Sequence, residues 1–98
     1  MNRYTHRFSI GVFDEFSSAL EYRMSFYPNE SPRDFIKQIV EEFDKVCLHP
    51  KMKQIVKELD DGRSYRRVNV WRYAFFYRID EEQRQIVIDI IYHERSML

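Results

Sequence analysis

Residues 64–96 read SYRRVNVWRYAFFYRIDEEQRQIVIDIIYHERS. They contain three short runs rich in Val, Ile, Tyr, Phe and Trp, at residues 65–71, 73–79 and 86–92, and the last two runs are joined by the polar segment 80–85. Runs of this length and composition, bounded by polar turns, suit the pleated and half-buried surface of a sheet. The stretch predicts a three-stranded antiparallel meander.

Strand side chains alternate between faces. Val68 and Val70 therefore point one way, and Tyr65, Arg67, Asn69 and Trp71 the other. In the third run Ile86, Ile88, Ile90 and Tyr92 share a face, opposite Val87, Asp89, Ile91 and His93. One face is expected to be core. The other is expected to carry Arg67, Asn69, Asp89 and His93, together with either Tyr73, Phe75 and Tyr77 or Ala74, Phe76 and Arg78 from the middle strand. Guanidinium, imidazole and aromatic groups on an open sheet face suit a phosphate or an RNA base. The same alternation also describes a plain solvated face.

Upstream, residues 5–10 (THRFSI) alternate weakly and predict a first strand at a sheet edge. From Val12 the spacing becomes helical, with Phe13, Phe16, Leu20, Met24 and Tyr27 three or four apart. Asp14 and Glu15 suit the positive end of that helix, and Pro28 closes it near Tyr27. Ser31, Pro32 and Asp34 open a second helix: a capping hydroxyl, a residue that needs no amide hydrogen, and a carboxylate at capping-box spacing. Its expected buried stripe is Phe35, Ile36, Ile39, Val40, Phe43, Val46 and Cys47, ending before His49 and Pro50. The two helices form an antiparallel hairpin whose apolar side needs the sheet. Met52, Ile55, Val56 and Leu59 predict a short third helix, ended by the break Asp60, Asp61, Gly62. The fold class is α+β: strand, helical hairpin, then meander.

Ninety-eight residues suit one domain spanning 1–98. With 44% hydrophobic residues, two Gly and three Pro, the composition argues against a disordered or low-complexity chain. Sixteen Lys and Arg balance sixteen Asp and Glu, so any contact with nucleic acid needs a local patch. The one cysteine, Cys47, excludes an internal disulfide and reads as a core thiol. His6, His49 and His93 lie far apart with no partner at ligand spacing, which argues against a zinc site. No apolar run reaches the length of a membrane span or a signal-peptide core, so a cytoplasmic location without membrane contact is expected.

The order strand, helical hairpin, meander resembles the RelE/ParE superfamily of bacterial type II toxins. The specific part is residues 66–79, RRVNVWRYAFFYRI, which resembles the family's two basic residues opening a strand, a short break, and an aromatic strand of the form Tyr-x-x-Phe-Tyr-x-Ile. Residues 90–95, IIYHER, resemble the family's closing strand, which ends on His, a small residue and Arg. The resemblance implies a toxin held inactive by a cognate antitoxin that wraps it and covers its active face. RelE-like members cut mRNA on the ribosome with side chains alone, without metal or other cofactor, whereas ParE-like members poison DNA gyrase and lack that residue set.

Cleavage by 2′-hydroxyl attack needs a base, a positive group for the pentavalent transition state and an acid for the leaving oxygen. Arg67 is the candidate for the charge, His93 for the acid and Glu58 for the base. Arg66, Arg72, Trp71 and Arg95 are the candidates for binding substrate. The family's ribonucleases often carry a tyrosine after the last-strand histidine, whereas here Tyr92 precedes His93. Both activities therefore stay open, beside a small protein-interaction module of the same fold with no toxicity.

Overall fold

In the computed structural model, which describes residues 3–29 and 31–93, helix α2 (Pro32–Leu48) begins as its chemistry requires. Ser31 is the N-cap, its Oγ accepts the Asp34 amide hydrogen at 3.4 Å, and Pro32 occupies the first turn. The helix buries Phe35, Ile39, Phe43, Val46 and Cys47. Ile36 and Val40, also expected on the stripe, are 40% and 41% exposed. A helix lying on a sheet buries one ridge at spacing three to four, and these two residues sit on its flank.

Helix α1 (Ile10–Phe26) departs further from the expected pattern. It starts two residues before Val12, and its N-cap Ser9 makes no side-chain cap bond. Asp14 and Glu15 consequently fall beyond the first turn, which holds no acid, so the dipole argument for them lapses. Only Val12 and Phe16 are buried, with Ala19 and Leu20 packed partly against the core. Phe13, Met24 and Tyr27 face solvent, contrary to the expected stripe.

The sheet has five strands: β1 (Thr5–Phe8), β2 (Ile55–Glu58), β3 (Ser64–Val70), β4 (Tyr73–Asp80) and β5 (Gln85–His93). Their order is β1-β5-β4-β3-β2, with β1 parallel to β5 at one edge and every other pair antiparallel. The meander is therefore present, extended by an additional edge strand. That strand, β2, replaces the short helix predicted around residues 52–59. Arg66 explains the difference: its guanidinium donates to the carbonyls of Lys53 and Lys51, tying this segment alongside β3, where Ile55 pairs with Arg66. Tertiary pairing overrides the helical spacing of four apolar residues. The break at 60–62 is a tight turn with Gly62 at φ 91°, closed by Leu59 and Arg63.

Both helices lie on one face of the sheet. Phe16, Phe35, Ile39, Phe43 and Val46 pack there against Val68, Phe75, Tyr77, Ile86 and Ile88. Phe43 meets Phe75 and Tyr77 edge-on, both at 6.0 Å between ring centroids.

One irregularity sets which residues share a face. Tyr77 pairs with Ile88, but its neighbour Phe76 pairs with Ile90, leaving Asp89 as an extra residue in β5. A bulge of this kind shifts the alternation by one, so everything beyond it changes sides. Ile86 and Ile88 lie on the helix side as expected. Past the bulge Ile91 pairs with Phe75 and His93 with Tyr73, which puts them on the helix side too, while Ile90 and Tyr92 face outward beside Phe76 and Ala74.

Candidate functional site

The bulge separates the two residues on which the ribonuclease reading depends. Arg67 pairs with Phe76 on the open face, where its Nε donates to Asn69 Oδ1 at 2.8 Å and its guanidinium sits 5.9 Å from the Phe76 ring centroid. His93 lies on the other side of the sheet, its ring 4.8 Å from that of Tyr73. The expectation that both share the open face is thus overturned. The plain alternation that supported it is interrupted at Asp89.

Trp71 is corrected as well. It occupies the first position of the two-residue turn between β3 and β4 at φ 54°, a conformation uncommon for a bulky side chain. Its indole stacks on Phe35 at 4.7 Å, with the Arg23 guanidinium 4.7 Å from the ring. Both contacts are with the helical hairpin, so Trp71 lies on the helix side and not beside Arg67. Arg72, the second turn residue, joins His93 in a cleft of about 280 Å³ whose other walls are Tyr22, Arg23, Phe26, Tyr27 and Tyr73. The structure therefore brings Arg72 and His93 together, away from Arg67.

Arg66 belongs to the helix-side face by its pairing with Tyr77. Its contacts with the Lys53 and Lys51 carbonyls make it a clamp on the loop before β2. Tyr77 completes that clamp by donating its hydroxyl to the Pro50 carbonyl at 2.9 Å, and burial pushes its phenol up to about 12. Glu58 is exposed at the sheet edge and pairs with Ser64, two residues from Arg66, hence on the face opposite Arg67. Arg95 lies outside the described residues.

The open face holds a group that sequence reasoning did not assemble. Asp89 Oδ2 accepts from the Tyr65 hydroxyl at 2.8 Å and from Arg78 Nε at 2.8 Å. Burial, then the bond to Asp89, raise the Tyr65 phenol, which keeps it a hydrogen-bond donor. The one available signal was the adjacent pair Ile90 and Ile91, which fits either parity. His6 pairs with Ile86 and reaches Asp44 of α2, so its ring is also on the helix side. The open face thus offers guanidinium and phenol donors without an imidazole among the described residues. That set, with Asp89 engaged by both Tyr65 and Arg78, can bind an anion or a protein surface.

Cys47 is buried, and burial raises its thiol, as suits a core residue. Among the described residues no group of three or more His, Cys, Asp or Glu is placed to hold a metal ion, and no helix is long and apolar enough to cross a membrane.

No curated protein matches the chain. A family model does: that of the ParE toxin of the type II toxin-antitoxin system, parDE, aligns with residues 15–97, from the second turn of α1 through all of β5. The α+β architecture, with a helical hairpin on one face of the meander, fits that match, and the chain belongs to the ParE toxin family of type II toxin–antitoxin systems.

Proposed function

We propose that this toxin arrests growth by poisoning DNA gyrase and not by cutting mRNA, that residues 1–98 work as one domain in the cytoplasm, and that a cognate antitoxin neutralises it. The observation that carries this reading is the separation of Arg67 and His93 by the thickness of the sheet. General acid catalysis requires the acid within hydrogen-bond reach of the leaving oxygen while the charge-stabilising group touches the same phosphate. Side chains on opposite faces of one sheet point away from each other and do not share a phosphate. Glu58 does not repair the gap, because its pairing with Ser64 also places it opposite Arg67. The match to ParE toxins supports the same choice.

Induction without antitoxin tests the proposal. Filamentation, DNA-damage signalling and trapping of purified gyrase in its cleavage complex are the expected results. Translation arrest with ribosome-dependent mRNA cleavage, lost in both Arg67→Ala and His93→Ala, would overturn it. Normal growth would favour the remaining reading, a non-toxic interaction module.

A further inference from the structure

A second cleft, of about 290 Å³, lies where β3 begins and β4 finishes, and its polar walls are Lys51, Arg63, Ser64, Arg66, Arg78 and Glu81. We propose that it binds the phosphate group of a nucleotide or of a nucleic-acid backbone.

Four cations line this cleft against one carboxylate, in a chain whose formal charges sum to zero. Three of the four are guanidinium groups already held in place by the fold. Arg63 donates its Nε to Asp61 Oδ2 at 2.8 Å, while Asp61 Oδ1 accepts the Arg63 backbone amide at 3.0 Å. Arg78 donates its Nε to Asp89 at 2.8 Å, and Arg66 uses one terminal nitrogen on the loop carbonyls. An arginine tethered through Nε presents its pair of terminal nitrogens, the edge that matches two phosphate oxygens. Because the tether already fixes the side chain, less rotamer freedom is lost when an anion binds. Arg66 pairs on the helix side and Arg78 on the open side, so the cleft wraps the end of the sheet.

Access is open. The Arg63 side chain is 51% exposed, Lys51 is an exposed loop residue, and apart from its chain neighbours nothing stands within 4 Å of where a Cβ on Gly62 would sit. Asp61 and Asp89 sit behind their arginines, so the cleft carries only a small positive excess. Binding of an oligonucleotide should therefore show a shallow salt dependence, reflecting about one or two displaced counterions.

The test follows the backbone amides of the full-length chain by NMR at constant ionic strength, with chloride as the control anion. Inorganic phosphate, AMP and a short single-stranded DNA are titrated in turn. Saturable shifts at Lys51, Gly62, Arg63 and Ser64 are expected. Tighter binding of the oligonucleotide than of AMP assigns the site to a nucleic-acid backbone, and the reverse order to a free nucleotide. Lys51→Gln and Arg63→Gln should each weaken binding about tenfold, the loss of one charged hydrogen bond, whereas Arg7→Gln, on the far edge of the sheet, should not. Lys51→Gln keeps the test sound if Arg63→Gln disturbs the turn through Asp61. Absence of saturable shifts with all three ligands, or wild-type affinity in both cleft variants, would overturn the proposal. The readout is direct binding, so it stands or falls separately from the gyrase assignment.

Discussion

The face of the sheet beneath the helices and the face turned away from them are built from alternate residues of the same strands, yet different forces close them. Beneath the helices, Phe75, Tyr77 and Ile86 are fully buried against rings and branched chains of α1 and α2. On the open face Val87 and Tyr65 are as deeply buried, at 0% and 3% exposure, with neither α1 nor α2 above them. Their cover is polar: Arg78 and Tyr65 converge on Asp89, and Arg7 donates to Gln85. Arg7 and Arg78 both pair with Val87 across the strands, so all three share the open face, and the two charged ends reach neighbouring acceptors. One face is thus held by volume and the other by a few directed bonds, which implies different responses to mutation.

The largest effect should come from the covered face. Phe43 is fully buried and meets Phe75 and Tyr77 edge-on. Phe43→Ala should cost about 3–5 kcal/mol in urea unfolding, combining lost burial with the cavity left behind. Against a total stability of about 5–15 kcal/mol for a domain of this kind, that is a severe loss. A cost below about 1 kcal/mol would mean that α2 does not close this face.

Asp89→Ala attacks the other face at the acceptor that Tyr65 and Arg78 share. It strands Arg78 and Tyr65 together, but the Arg78 side chain is 28% exposed and recovers part of its solvation from water. A cost of about 2 kcal/mol is expected, below that of the Phe43 cavity. Asp89→Asn keeps an acceptor and should cost less. Equal losses for the two variants would show that the bulge geometry, and not the bonds it creates, holds the open face.

That bulge also marks where the sequence stops being legible. The Ser31-Pro32-Asp34 cap, the three central strands and the break at Gly62 follow from local chemistry, and the structure has all of them. Local chemistry says much less about register. Ile88-Asp89-Ile90 looks like unbroken alternation, and only pairing with β4 reveals that Asp89 is supernumerary. Strand β2 was hidden for a similar reason, since Arg66 in a later strand holds the loop carbonyls of Lys51 and Lys53 and pairs with Ile55, the first residue of β2. In α1 the apolar residues outnumber the positions the sheet covers, so spacing alone did not select Val12 and Phe16 over Phe13 and Met24. Arg67 and Asn69 reached their expected face because no bulge interrupts the pairing of β3 with β4. His93 did not, because one lies between it and Ile88.

Tyr77→Phe is a smaller probe of the covered face. It removes the bond to Pro50 and leaves that carbonyl with one partner fewer, for a cost of about 1 kcal/mol. Its pH dependence has a definite sign. The folded-state value, pushed up to about 12 by burial, lies above the ordinary 10.0. The stability linked to this phenol is therefore fully present below pH 10.0 and is lost as the pH rises through about 12. Unfolding followed across that window should fall more steeply for wild type than for Tyr77→Phe. Parallel curves would mean that the hydroxyl is not held as described.

The smallest effect on stability is expected at Arg67, and it is the most informative for function. Its Nε bond to Asn69 lies within one strand on the open face, and its guanidinium rests near Phe76. Arg67→Ala should change unfolding by less than about 0.5 kcal/mol, as for surface changes that break no buried network. Any loss of toxicity would then reflect target recognition and not misfolding. If the toxin acts on gyrase, without phosphate chemistry between Arg67 and His93, the variant should keep its ability to trap gyrase, and His93→Ala should behave independently of it. A double variant whose loss falls well short of the sum of the two single losses would be coupling across the sheet, and such coupling is what a shared catalytic phosphate requires. Simple additivity is what two faces facing away from each other predict.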